Sequence, residues 1–268
     1  MDKKILPARF KEIAKSYYES RDKAVDAWNK GREESQCASD TRSHIFNTAR
    51  TVFAQKGHGA TVREICHAAN ANVSAVNYHF GNKNRLLAAV LEEFLDEVRD
   101  IYPLHGGVDI SAEPEERLFG FTLASVSGML LGHGEEYWSL NRLLLDAFIN
   151  EFEEFLHVSE KDWQELREFA IQIIDDMTDN AWEPKQLDSL ASGYFSQLFF
   201  YALHIDDLLM VRNQKYFTDE QVFGIAQHIT AFSIGGIKNY SELMDAEIDF
   251  PNLCDADCCK HARKPDGV

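Results

Sequence analysis

Residues Thr61–Lys83 read TVREICHAANANVSAVNYHFGNK, two short helical faces separated by a turn. Thr61 is a good N-cap, and Glu64 follows three residues later. That is the spacing of a capping box, in which each side chain bonds the other residue's backbone amide. Val62, Ile65 and Ala69 fall on one helical face. Asn70-Ala71-Asn72 interrupts it, and asparagine takes up the left-handed backbone that ends a helix more readily than most non-glycine residues. A second face follows in Val73, Val76 and Phe80, closed by Gly81-Asn82. Between these apolar positions stand Ser74, Ala75, Asn77, Tyr78 and His79, which are small or hydrogen-bonding. Helices this short bury too little to stand alone, so a third helix must lie beneath them.

The flanking sequence supplies it. Over Thr41–Lys56, the residues Ile45, Phe46, Ala49, Val52 and Phe53 form an apolar stripe at helical spacing, and Gly57-His58-Gly59 ends it. Beyond the opening stretch, Lys83 begins a long helix to about Ile101, with Leu86, Leu87, Val90, Leu91, Phe94, Leu95, Val98 and Ile101 on one face. Charge is distributed unevenly. The 268 residues carry a net charge of −17, yet residues 41–91 hold six Lys/Arg against one acid, a net of +5. Residues 101–268 hold eleven Lys/Arg against thirty Asp/Glu, a net of −19. Phosphate binding depends on the local patch, so the acidic remainder does not exclude a nucleic-acid partner.

Residues Thr61–Ile65, Ala68-Ala69, Val73–Phe80, Lys83 and Leu86-Leu87 resemble the helix-turn-helix of TetR-type transcriptional regulators. The run Ala75–Gly81 is similar to one branch of that family, in which Asn-Tyr-His-Phe ends the recognition helix. The likeness extends from Ile45 to about Phe94 and is strong over about a fifth of the chain. One departure is the turn, where the family usually has glycine and this chain has Asn70 followed by Ala71. The resemblance implies an all-α fold: a three-helix DNA-binding head joined by a long helix to a larger helical effector and dimerisation domain. It also implies a homodimer that sets two recognition helices in successive major grooves of a palindromic operator, about one DNA turn apart. An unidentified small molecule in the second domain would release it by shifting the helix that begins at Lys83. Repression is that family's commoner outcome.

The expected interface follows from residue types. Arg42, Thr61, Arg63, Tyr78, His79 and Lys83 are the phosphate candidates, because hydroxyls, guanidinium groups and amides at a helix N-terminus hold anions. Asn72, Ser74, Ala75 and Asn77 are the base-edge candidates, since asparagine pairs bidentately with adenine and alanine meets a thymine methyl. For each of them, solvated surface or helix capping is the alternative.

The expected division is a helical extension at 1–38, a DNA-binding domain at 39–100 with its motif at 61–80, a helical domain at 101–245, and a tail at 246–268. In the extension, Ile5, Leu6, Phe10, Ile13, Ala14, Tyr17 and Tyr18 form a loose amphipathic pattern beside several basic residues. It reads either as an arm reaching DNA or as an extra helix packed on the domain. After Pro103–Pro114, helices are expected over about Glu115–Leu131, Glu135–Leu156, Ser159–Asn180, Pro184–Asn213 and, from a Thr218/Gln221 capping box, to Tyr240. The broad apolar faces of the last two, about 184–240, suit a four-helix dimer interface or the core of one monomer. Trp138, Phe148, Phe152, Trp163 and Phe169 read as core or as pocket walls.

The five cysteines show no secreted disulfide framework. Cys254, Cys258, Cys259 and His261 crowd the tail, where thiolates and imidazole suit a soft metal or an oxidant sensor, although their spacing matches no standard zinc pattern. No cofactor is indicated. The chain has no Gly-rich phosphate loop, GxSxG or HExxH, so an enzyme is not expected. It has neither a long apolar run nor a signal-peptide core, and a cytoplasmic protein without membrane contact is expected. The competing functions are an architectural DNA-binder without effector and a metal or redox sensor acting through the tail.

Overall fold

The computed structural model describes residues 6–35, 40–150, 152–178 and 181–243. These form the helices α1 (Leu6–Ser35), α2 (Thr41–Lys56), α3 (Val62–Ala68), α4 (Val73–Phe80), α5 (Lys83–Ile101) and α6 (Pro114–Leu130). They continue as α7 (Glu135–Ile149), α8 (Leu156–Met177), α9 (Pro184–Leu203), α10 (Ile205–Arg212) and α11 (Asp219–Leu243), with no strand among the described residues. The fold is all-α.

The stripe of α2 is buried at Ile45, Phe46, Ala49, Val52 and Phe53, and α3, α4 and α5 pack against it. Helix α5 buries Leu86, Leu87, Val90, Leu91, Phe94, Leu95 and Ile101. At 1.5 Å per residue it spans about 28 Å, enough to run from the three-helix head into the helices below.

Helix α6 is the centre of the larger part. Leu118, Phe119, Phe121, Leu123, Ala124, Val126 and Leu130 are all buried, and α1, α8, α9 and α11 pack around them. A helix apolar on nearly every side must be enclosed on nearly every side. The loop after α5 also presses on it. A Cβ at Gly120 would lie 2.6 Å from the Val108 side chain and 2.8 Å from the His105 carbonyl, so only glycine fits there.

Residues 6–35 form one helix whose inner face buries Phe10, Ala14, Tyr17 and Arg21 at spacings of three and four. Phe10 stacks on Phe119 of α6 at 4.2 Å between ring centroids. Arg9 forks onto Glu116 through bonds of 3.0 and 3.1 Å. The paired numbers rise together, so α1 runs parallel to α6. Arg21 reaches Asp219 at the start of α11 through two bonds, 2.6 and 2.9 Å. The α1 cations Arg9 and Arg21 are thus committed to carboxylates of the fold.

Three boundaries differ from expectation. Helix α7 stops at Ile149 rather than near Leu156, because the Phe152 amide turns back to the Ala147 carbonyl at 3.1 Å. A short 3-10 turn at Glu153–Phe155 leads straight into α8. Ser159 therefore lies inside α8 and caps nothing at its start; its hydroxyl donates to the Leu156 carbonyl. The expected helix from Pro184 to Asn213 is broken at His204 (φ −108°, ψ 16°). This break lets Ile205 and Leu209 turn into the core while Leu203 stays outside. The Thr218/Gln221 box opens α11 as expected, with bonds of 2.9 and 3.3 Å. Residues 36–39 and the whole tail, with Cys254, Cys258, Cys259 and His261, lie outside the described residues.

Candidate nucleic-acid interface

Thr61 and Glu64 close the capping box of α3: the Thr61 amide donates to Glu64 Oε2 at 2.9 Å, and the Glu64 amide donates to Thr61 Oγ1 at 3.3 Å. Lys56 adds an ion pair to Glu64 at 2.5 Å. Together the Lys56 ammonium, then the Thr61 amide and hydroxyl, hold the Glu64 carboxyl down at about 2.

The turn is built as Asn70 allows. Asn70 sits at φ +46°, and the Ala71 amide reaches the Cys66 carbonyl at 2.9 Å across the end of α3. The His44 ring meets the Ala69 carbonyl at 3.1 Å and fastens the turn to α2. Helix α4 then buries Val76 and Phe80 and turns its opposite face outward.

On that outer face stand Asn72, Ser74, Asn77 and Tyr78, with Ala75 and His79 half-buried between them. Tyr78 is 86% exposed, and its ring touches only the edge of His79, at 5.0 Å. Arg63 on α3 is exposed, and Arg42 stands over the Phe80 ring at 5.2 Å. Asn72 turns out to be a cap: its Oδ1 accepts from the Ser74 amide at 3.1 Å, which leaves its NH2 for a base or phosphate. Lys83 donates to the His58 carbonyl at 2.8 Å, which holds it at the head's edge.

The sequence count of cations needs correction. Arg50 contributes nothing to the positive face: it is fully buried, forked onto Glu97 at 2.9 and 2.6 Å, and bonded to Glu136 at 3.1 Å. Its position gives the clue. It falls four residues after Phe46 and three before Phe53, inside the apolar stripe of α2, where a charge survives only with partners. Asp40 is the N-cap of α2, its carboxylate accepting from the Ser43 amide at 2.9 Å.

The suggested pocket walls do not converge. Trp163 and Phe169 join a packed aromatic group with Phe121 and Phe195, Phe148 packs on Phe155, Phe152 meets His58, and Trp138 lies against Tyr216. Among the described residues, no group of His, Cys, Asp and Glu is arranged to hold a metal, and no helix is long and apolar enough to cross a membrane.

The profile of bacterial regulatory proteins of the tetR family matches residues 45–90, from the stripe of α2 into α5. The chain carries a TetR-type helix-turn-helix domain. The repressor KstR2 of Mycobacterium tuberculosis is 31% identical over 99 residues, 35% of this chain and 46% of the relative. The repressor AcnR of Corynebacterium glutamicum is 32% identical over 73 residues, 27% of this chain and 39% of the relative. The chain thus spans less than half the length of these curated relatives, and the family profile lies within the head. In fold the likeness reaches further. A Pseudomonas aeruginosa PAO1 protein described as a transcriptional regulator superposes with a TM-score of 0.55 at 18% identity, over 74% of this chain and 93% of the other. A TetR-like regulator from Rhodococcus sp. RHA1 gives 0.53 at 14% identity, over 73% and 96%.

Proposed function

We propose that the chain is a DNA-binding transcriptional regulator that works as a homodimer and is released from a palindromic operator by a small molecule bound within residues 101–245. The observation that carries the DNA reading is the outer face of α4. Tyr78, Asn77 and Ser74 stand exposed beside Arg63, on a helix fixed from below by Val76 and Phe80. Arg42, Arg63, Tyr78, His79 and Lys83 hold phosphate, and Ser74, Ala75, Asn77 and the free amide of Asn72 meet base edges, while Thr61 spends its amide and hydroxyl on Glu64 and positions α3. Repression is the output favoured by the two repressors that share this head.

The dimer reading rests on α9 and α11. The contacts Trp182–Tyr240 and Gln197–Ser233 run in opposite sense, so the two helices are antiparallel. Their outer surface exposes Phe199, Phe200, Leu203 and Phe232, large apolar side chains that a monomer leaves in water. A second copy related by a twofold axis covers them and pairs the heads.

Mapping bound DNA in cells, followed by a gel-shift on the recovered sites, tests the proposal. Tyr78→Ala and Asn77→Ala should each weaken binding about tenfold or more, the weight of one good base or phosphate contact. Unchanged binding by both variants defeats the assignment.

A further inference from the structure

Helix α1 is seated unevenly. Its first half buries Phe10, Ala14, Tyr17 and Arg21 on the larger domain, whereas none of residues 22–32 is fully buried. The first half is also pinned by polar contacts. Arg9 holds Glu116 of α6, the Tyr18 hydroxyl donates to the Asp219 carbonyl at 3.0 Å, and Arg21 holds the Asp219 carboxylate. Over residues 26–32 only Trp28 and Arg32 turn inward, and the others are exposed. Trp28 packs edge-on against Tyr137 of α7, with 5.6 Å between ring centroids. One turn later, Arg32 donates to Glu136 Oε1 at 2.8 Å.

Both anchors land on the joint between the head and the larger domain. Glu136 also accepts from Arg50 of α2, and Arg50 forks onto Glu97 of α5. Glu93 of α5 belongs to the same group. Burial and the neighbouring Glu97 push its carboxyl above the ordinary range, against the pull of Arg50, Arg32 and Arg42. Three carboxylates thus share the joint with three guanidinium groups, and taking Arg32 away leaves the carboxylates in excess. Only residues 36–40 then lead from α1 into α2, so the end of α1 adjoins the head in sequence as well as in space.

We propose that residues 25–32 of α1, about two turns, are a strap that closes over this joint, and that closing it fixes the head in place for DNA. The strap is built to open. One partly exposed ion pair and one edge-on ring contact are weak anchors, and a segment held by so few buried groups opens locally long before the core does. The first half of α1 stays seated when it opens, because its own anchors lie at the starts of α6 and α11.

With the strap closed, Glu136 binds α1 and α2 to the first turn of α7 together. With it open, Glu136 keeps Arg50 alone, and the head gains freedom against the larger domain. A head already held in position gives up less freedom on meeting DNA, so opening the strap weakens binding. The effect on DNA rests on the regulator reading, whereas the strap itself does not.

The test uses the full chain labelled with 5-fluorotryptophan and read by fluorine NMR, the Trp28 line being assigned with Trp28→Phe. Arg32→Gln should move that line towards its position in the urea-unfolded chain. Arg9→Gln, which cuts an ion pair at the other end of α1, should leave it in place. An unmoved line in Arg32→Gln, or equal movement in both variants, overturns the strap. The gel-shift is read separately. Arg32→Gln should weaken DNA binding about fivefold with the same dependence on salt, and Arg9→Gln should not weaken it. A salt slope reduced by about one would make Arg32 a phosphate contact and overturn the proposal, as would unchanged affinity beside a moved Trp28 line. A parent that binds no DNA while Arg32→Gln still moves the line supports the strap and removes the regulator reading.

Discussion

Arg50 Nε donates to Glu136 Oε1 across 3.1 Å and ties a fully buried cation of the head to the first turn of α7. The same carboxylate oxygen accepts from Arg32 at the end of α1, and Glu97 of α5 takes the other two nitrogens of Arg50. Four helices meet at this one charge cluster.

A buried charge that loses its partner costs more than the pair contributes when intact. Glu97→Ala strands Arg50 with Glu136 alone and should lower the unfolding free energy by about 3 kcal/mol. Arg50→Met removes the charge itself, keeps much of the volume, and leaves two carboxylates that reach water, so it should cost clearly less. Urea unfolding of the two variants decides the matter; equal losses would mean that packing, and not the stranded charge, sets the cost.

Asn70 at φ +46° replaces the glycine that TetR-type turns usually carry. Asn70→Gly should stay within about 0.5 kcal/mol of the parent, trading relief of strain against a more mobile unfolded chain. Asn70→Ala should cost about 1 kcal/mol, because a plain Cβ in the left-handed region has no local hydrogen bond to offset its clash. Thermal unfolding checks both, and alanine tolerated as well as glycine would show that the turn relaxes to another backbone.

The head was legible because its signals are local. The box Thr61/Glu64, the left-handed Asn70 and the stripes of α2 and α5 each span a few residues, and the fold uses all of them. The outward set on α4 followed from the same periodicity, although Asn72 spends its carbonyl oxygen on the cap. What was not legible depends on partners distant in sequence. Arg50 reads as surface charge in the sequence because its partners Glu97 and Glu136 stand 47 and 86 residues away. The break at His204 carries no proline or glycine and is set by where Ile205 and Leu209 find core. The aromatic residues from Trp138 to Phe169 have the same composition whether they wall a pocket or fill a core, and only their contacts separate the two.

His133 gives the chain an acid-sensitive element. Burial, with help from Arg21, lowers its pKa from 6.5 to about 4. The unfolded chain therefore binds this proton more readily than the folded one between those values, and stability rises with pH across that window. Acidification from pH 6.5 towards 4 should accordingly weaken the fold through this residue. His133→Gln, which cannot take up the proton, should flatten that part of the stability profile. Urea midpoints at half-unit pH steps measure it, and an unchanged slope in the variant would assign the acid sensitivity to other groups.

The dimer proposal makes its own demand on α11. Phe232 is 67% exposed there, with Ala231 exposed beside it and Gly235-Gly236 one turn on, where small residues let a second helix approach closely. Phe200 and Leu203 continue the apolar surface on α9. A charge placed at the centre of such an interface must be buried unpaired or keep the subunits apart. Phe232→Glu should therefore convert a dimer to a monomer in sedimentation velocity while leaving the helical circular dichroism intact, since the side chain is not part of the monomer core. Operator affinity should fall with it, because two linked heads bind adjacent half-sites far more tightly than one. A parent that already sediments as a monomer at micromolar concentration would end the dimer reading, and a variant that remains dimeric would place the interface on another face of the helical domain.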